Sequence, residues 1–191
     1  MSISRAAAWR ALRRPGWRAP LLLLAAAALL TVRVPRSARL AADFPGHSPS
    51  ALAHFLADFS NHPRLYSHIT GSWEIEEEKN NYTSWHYVVS YACGARCGGR
   101  VQLSAHDDGA GRHRVLVRDA RCSALPLLPW PQICETTVTE TEISPRAGGG
   151  AHLEESAHEL CGVLALAAGC DVSAARRRHL RALRDALARE D

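Results

Sequence analysis

The spacing of apolar residues changes along this chain, and that change limits its fold more than any other feature. Leu52, Phe55, Leu56 and Phe59 stand at i, i+3, i+4 and i+7, which is one face of a helix. From Trp73 onward the spacing is two. Trp73 and Ile75 alternate with Glu74 and Glu76, Trp85, Tyr87, Val89 and Tyr91 line one face of a long strand, and Val101, Leu103 and Ala105, then Val115 and Val117, continue the pattern. Asn80-Asn81, Asp107-Asp108-Gly109 and Pro145 to Gly150 supply turns, and Gly98-Gly99 permits a bend. A threonine- and glutamate-rich strand covers Gln132 to Ile143, and Ala151, Leu153 and Glu155 begin a last one.

Helical spacing returns at the end, where Leu180, Leu183 and Leu187 form a stripe behind an Asp171 or Ser173 cap. The first helix has equally clear start signals, Ser48 as N-cap and Pro49 at the first helical position, and Asn61-His62-Pro63 ends it. A short edge strand over 38–44 precedes it. The order is strand, helix, antiparallel strands, helix: an α+β fold in which a curved antiparallel sheet wraps around a C-terminal helix.

The first 42 residues are a different kind of sequence. They carry eight arginines, no acidic residue and an apolar segment over 19–32. Setting those arginines aside leaves 15 basic against 19 acidic residues, a net of −4, so the basic character belongs to the leader. No nucleic-acid partner follows from it. The segment is 14 residues long, short of the roughly 20 that cross a bilayer and close to a signal-peptide core. The expected organisation is a leader over 1–37, a signal anchor or signal peptide that contacts the membrane through 19–32, followed by one domain over 38–191. That places the body in the endomembrane system, as a single-pass or secreted protein. A mitochondrial presequence is the competing reading, because arginine-rich, acid-free leaders have that composition.

The cysteines agree with an oxidising site. All six (Cys93, Cys97, Cys122, Cys134, Cys161, Cys170) follow the leader, an even number that is able to pair fully. Asn81-Tyr82-Thr83 is a sequon for N-glycosylation in a polar turn. Cys93 and Cys97 have no second closely spaced Cys or His pair, so they read as structural and no metal is expected. Cys122 and Cys134 bracket a stretch with three prolines that also holds Leu127, Leu128 and Trp130. An apolar loop that cannot join a ladder reads as a cover for a cavity, and a bridge between the two cysteines would pin its ends. Cys161 and Cys170 flank a second possible clasp.

The chain resembles the START-like, Bet v 1-like superfamily of polyketide cyclases and lipid-transfer domains. The resemblance lies in FPGHSPSALAHFLADFSNHPRLYSHITGSWEIEEE, in ETEISPRAGGGAHLEES and in the closing RRRHLRALRDALARE. It implies a helix-grip fold enclosing an apolar tunnel for a lipid, sterol, quinone or aromatic molecule. The six cysteines, the leader and a short last helix depart from the pattern. The residues support such a cavity independently, since Trp85, Tyr87, Val89 and Tyr91 make a wall rich in aromatic rings with polar tips.

No phosphate loop, Ser-His-Asp order or HExxH is present, and no cofactor is expected. His152, Glu154 and His158 on one face of the last strand, Glu155 and Glu159 on the other, and Thr137, Thr139, Glu140 and Glu142 before them read as solvated faces. Arg176, Arg177, Arg181 and Arg184 read as surface residues of the last helix. The expected function is binding or transfer of a hydrophobic small molecule, with Trp85, Tyr87, Val89 and Tyr91 as wall and Leu127, Leu128 and Trp130 as lid. A cyclase- or hydratase-type enzyme in the same cavity, with Tyr66, His68 or His86 as acid–base candidates, is the second reading. A mitochondrial domain for a quinone-like lipid is the third.

Overall fold

The structure is a computed structural model that describes residues 20–22, 24, 32–81, 83–124, 132–162 and 170–189. Two compact units divide the chain, one of residues 1–34 with 161–170, the other of residues 35–160 with 171–191. The Cys161–Cys170 bond lies in the first. Of the expected apolar segment 19–32, only Pro20, Leu21, Leu22, Leu24 and Val32 are among the described residues, and Leu127, Leu128 and Trp130 lie outside them. Among the described residues no helix is long and apolar enough to cross a membrane.

Seven strands form one antiparallel sheet: β1 (Arg33–Phe44), β2 (Trp73–Asn81), β3 (Ser84–Ala92), β4 (Cys97–Asp107), β5 (His113–Ala124), β6 (Gln132–Pro145) and β7 (Ala151–Gly162). Their spatial order is β1-β7-β6-β5-β4-β3-β2. Among the described residues of the second unit, they are accompanied by α1 (Pro49–Ala57), the single turn α2 (His62–Leu65) and α3 (Val172–Leu187). The sheet is curved around α3, the helix-grip arrangement. The first strand begins at Arg33, five residues before its expected start at Ala38.

Helix α1 starts as its sequence dictates, with the Ser48 hydroxyl accepting from the Ala51 amide at 3.2 Å and Pro49 in the first turn. It stops earlier than expected. Asp58 leaves the helix and its carboxylate caps the 3₁₀ turn Phe59–Asn61 instead. His62-Pro63, expected to end a helix, therefore opens the next one, because proline lacks the N–H that a first turn does not use. Helix α3 is capped by Asp171, whose carboxylate accepts from the Ala174 amide at 2.9 Å.

Two apolar clusters form the core of the second unit. One joins Phe44, Leu52, Phe55, Leu56, Val115, Ile143, Leu153, Leu183 and Leu187. The other joins Phe59, Ile69, Tyr87, Val89, Tyr91, Val101 and Leu103. Every expected apolar position of the alternating strands on β3, β4 and β5 is buried or partly buried in these clusters. Gly99 has a packing role rather than a bend. The Tyr91 ring crosses over it, and any Cβ there would run into that ring.

The cysteines pair as neighbours: Cys93–Cys97, Cys122–Cys134 and Cys161–Cys170. None remains free. Three disulfides fit an extracellular or secreted, oxidising environment.

Candidate functional site

The inner faces of three adjacent strands change character along their length. On β5 the inward series runs Val115, Val117, Asp119, Arg121. On β6 it runs Ile143, Thr141, Thr139, Thr137, Glu135, and on β7 Leu153, Glu155, Ala157, Glu159. Register converts these series into rows. Val101 pairs Asp119, Asp119 pairs Thr137 and Thr137 pairs Glu159, with Arg121 opposite Glu135 in the next row. One end of the sheet is thus apolar core, and the other is a polar wall facing α2 and α3.

A cavity of about 620 Å³ lies against that wall, within the range that holds small organic ligands. Its sheet side is Val101, Val117, Asp119, Arg121, Glu135, Thr137, Thr139 and Glu159. Residues His62 to Ile69 and the α3 positions Val172, Ala175, Arg176, Arg178, His179 and Ala182 complete it.

A buried ionic cluster borders the cavity. Arg176 Nε donates to Glu155 Oε1 at 2.6 Å and its Nη2 donates to Glu155 Oε2 at 2.5 Å, a bidentate pair with both residues under 7% exposed. The same Nη2 donates to His179 Nδ1 at 2.7 Å. Arginine has no acceptor, so Nδ1 must offer its lone pair and the neutral ring carries its proton on Nε2. That Nε2–H is buried and has no acceptor. Burial first, and the adjacent Arg176 cation second, hold the His179 pKa well below the usual histidine range. Burial also works against the Arg176 cation, but Tyr66 and Glu155 together outweigh it and raise its pKa.

Tyr66 stacks on His179 with ring centroids 4.8 Å apart and 13° between planes. The Arg176 guanidinium lies 5.9 Å from the centre of the same ring. Burial raises the Tyr66 hydroxyl pKa. His62 donates from Nε2 to the Leu56 carbonyl at 3.1 Å, and burial lowers its pKa to about 4. Across the cavity the Tyr91 hydroxyl donates to Asp119 Oδ1 at 2.8 Å. The other oxygen of Asp119 lies 3.4 Å from His68 Nε2. Arg121 donates to Glu135 at 2.6 Å. Glu159, half-buried, has its pKa raised by burial and by Glu135.

The expected site residues fall in different places. Tyr66 and His68 both line the cavity. His86 does not, and its Nδ1 is 2.9 Å from the Ser104 hydroxyl on the neighbouring strand. Tyr87, Val89 and Tyr91 belong to the second apolar cluster. The Tyr87 hydroxyl donates to the Ala57 carbonyl at 2.6 Å, and burial pushes its pKa up to about 12. Tyr91 meets the cavity lining through its bond to Asp119 and its ring contact with His68. Trp85 lines a separate, smaller pocket beside the β2–β3 turn.

Three residues read as surface or solvated are inside. Glu155 is 5% exposed, Arg176 6% and Thr139 4%. Each ion has its counter-ion across the interface between α3 and β7, so desolvation is offset by a bidentate pair. Thr137 and Glu159, read the same way, are partly buried and line the cavity, whereas Glu140 and Glu142 pair with Arg114 in the open and His152 bonds Asp43. Glu155 was detectable in one respect, because it lies in phase with Leu153 and Ala157 on the buried face of β7.

No family model matches this chain, and no curated protein matches it. Among solved structures, protein Mll3558 of Rhizobium loti is 18% identical over 83% of this chain and 99% of its own, with a TM-score of 0.50. The lipid transfer and protein localization domain of human StarD13 is 11% identical over 79% of this chain and 75% of its own, with a TM-score of 0.51. The chain is similar to these in fold, and that fold is the helix grip.

Proposed function

We propose that the chain binds or transfers a hydrophobic small molecule in the 620 Å³ cavity, with the ligand's polar end a neutral hydrogen-bond acceptor such as a carbonyl or hydroxyl oxygen. One observation carries this reading: His179, a cavity residue, holds a buried Nε2–H without an acceptor. A native structure leaves such a donor unsatisfied only at a cost, and a ligand oxygen beside it would remove that cost. The charges closest to His179 support a neutral acceptor there, since the buried Arg176 is committed to Glu155, and Arg121 on the sheet wall to Glu135, while the lining Arg178 is exposed to solvent. Val101, Val117 and Ile69 offer apolar surface for the rest of the molecule. The lipid-transfer domain of StarD13, which shares the fold, points to the same ligand class. The disulfides favour a secreted or lumenal protein, and the leader is the segment that would deliver or tether it.

A second reading has its own observation. Tyr66, His68 and Glu159 meet at one cavity, and a half-buried carboxyl with a raised pKa is a group suited to acid–base work. A cyclase- or hydratase-type enzyme would use them on a weakly held substrate.

Native mass spectrometry of the full chain, expressed through a secretory host and purified without detergent, separates the two. Binding predicts a stoichiometric extra mass that extracts into organic solvent. His179→Phe keeps the ring on Tyr66 but removes the Nε2–H, and should lose that mass while remaining folded. A folded wild-type protein with a clean apo mass would refute the transfer reading and favour the enzyme. Full loading of folded H179F would refute the placement of the polar end.

A further inference from the structure

The sequon at Asn81 and the small pocket that holds Trp85 meet at one place in the fold, independently of the larger cavity. Asn81 ends β2 in the turn to β3. Its Oδ1 accepts from the Ser84 amide at 2.7 Å, the Ser84 hydroxyl at 2.9 Å, the Thr83 amide at 3.1 Å and the Thr83 hydroxyl at 3.3 Å. Four donors on one oxygen fix the side chain while its Nδ2 takes no part in this set. The residue is exposed, so a substituent on Nδ2 meets no buried wall.

Beside this turn lies a pocket of about 260 Å³, lined by Asn81, Thr83 and Ser84 at the turn and by Trp85, His54 and His106 among the residues opposite. It is small for a lipid and suits a single ring. It also resembles a sugar site in chemistry. Trp85 supplies an aromatic ring, set edge-on to His54 at 5.4 Å, and its Nε1–H is buried without an acceptor. Histidines and hydroxyls supply further polar contacts. Three disulfides match the compartment in which N-linked sugars are added.

We infer that Asn81 carries an N-linked glycan whose first N-acetylglucosamine seats in the Trp85 pocket. The co-reactant is an oligosaccharide carried on a lipid pyrophosphate. Asn81 Nδ2 bonds to the anomeric carbon as the carbon–oxygen bond to pyrophosphate breaks. The amide proton goes to a base of the transferase, and the lipid pyrophosphate leaves with the electron pair. Once attached, the sugar is tethered beside the pocket at high effective concentration, so weak ring and hydrogen-bond contacts suffice to hold it.

The test uses the full chain secreted from animal cells. Intact mass and peptide mapping should place a glycan on Asn81, absent from Asn81→Gln and Thr83→Ala. Trimming to one N-acetylglucosamine should leave the melting temperature about 2–4 °C above that of the sugar-free chain with Asn81 intact, secreted while the transferase is inhibited, and Trp85→Ala should abolish this gain. The Trp85 indole N–H resonance should also differ between the single-sugar and sugar-free proteins, a readout that needs no substitution of Trp85. A secreted chain with no mass on Asn81 overturns the inference. So does a sugar-dependent gain that survives in Trp85→Ala, or an indole resonance that ignores the sugar.

Discussion

His62 makes stability depend on pH in a window that its burial sets. The ring is 2% exposed, donates to the Leu56 carbonyl and touches the Phe59 ring with centroids 4.8 Å apart. Its folded pKa is about 4, against about 6.5 in an unfolded chain. A histidine whose folded pKa is lowered behaves opposite to one that gains an acidic partner. As pH falls below about 6.5 the unfolded chain binds a proton that the folded protein refuses, so folding loses free energy. The loss accumulates down to about pH 4 and stops there, where both states are protonated. Between pH 7.5 and 4.5 the linkage amounts to about 2–3 kcal/mol for this group. His179, also lowered, acts with the same sign. His62→Gln keeps a side-chain N–H for Leu56 and cannot titrate. Urea unfolding of the full oxidised chain, followed by circular dichroism at pH 7.5 and 4.5, should give H62Q a smaller acid loss than the wild type by about 2–3 kcal/mol. The carboxylates titrate in both proteins and cancel in the comparison. Equal acid losses, or a His62 ring that titrates near its ordinary value by NMR, would refute the reasoning.

Two further outcomes follow from packing. Arg176→Met should cost about 3–5 kcal/mol because it strands the buried Glu155 carboxylate, and adding Glu155→Gln should recover part of the loss; a single-variant cost below about 1 kcal/mol in urea unfolding would show the pair to be solvated. Gly150→Ala should lower the melting temperature more than Gly148→Ala. Both glycines have positive φ, 87° and 92°, but a Cβ on Gly150 would also lie 2.5 Å from the Phe44 carbonyl oxygen, whereas one on Gly148 meets open space; equal effects would contradict that close approach.

Much of the fold is written in local chemistry. Ser48-Pro49 starts α1 and Asp171 caps α3 because a helix N-terminus needs an acceptor, and each residue supplies one wherever it sits. Alternation on β3, β4 and β5 names their buried faces because side chains on a strand point to opposite sides by geometry alone. Tyr66 and His68 were picked out in the sequence as candidates, and the structure brings both to the cavity. Their partners were not legible. Glu155 and Arg176 look like solvated charges when each strand or helix is read by itself, since the two partners stand 21 positions apart on different elements. Only the docking of α3 against β7 supplies it, and only then does burial become tolerable. The same holds for the two halves of the aromatic stripe. Periodicity puts Trp85, Tyr87, Val89 and Tyr91 on one face, but what faces them decides their role. Ala57 takes the Tyr87 hydroxyl, Asp119 takes that of Tyr91, and Trp85 is left beside Asn81. The sequence by itself determined the elements, their faces and the fold class, because those follow from contacts within a few residues. The tertiary structure decided where charge is buried and where space is left, because both depend on which distant surfaces meet.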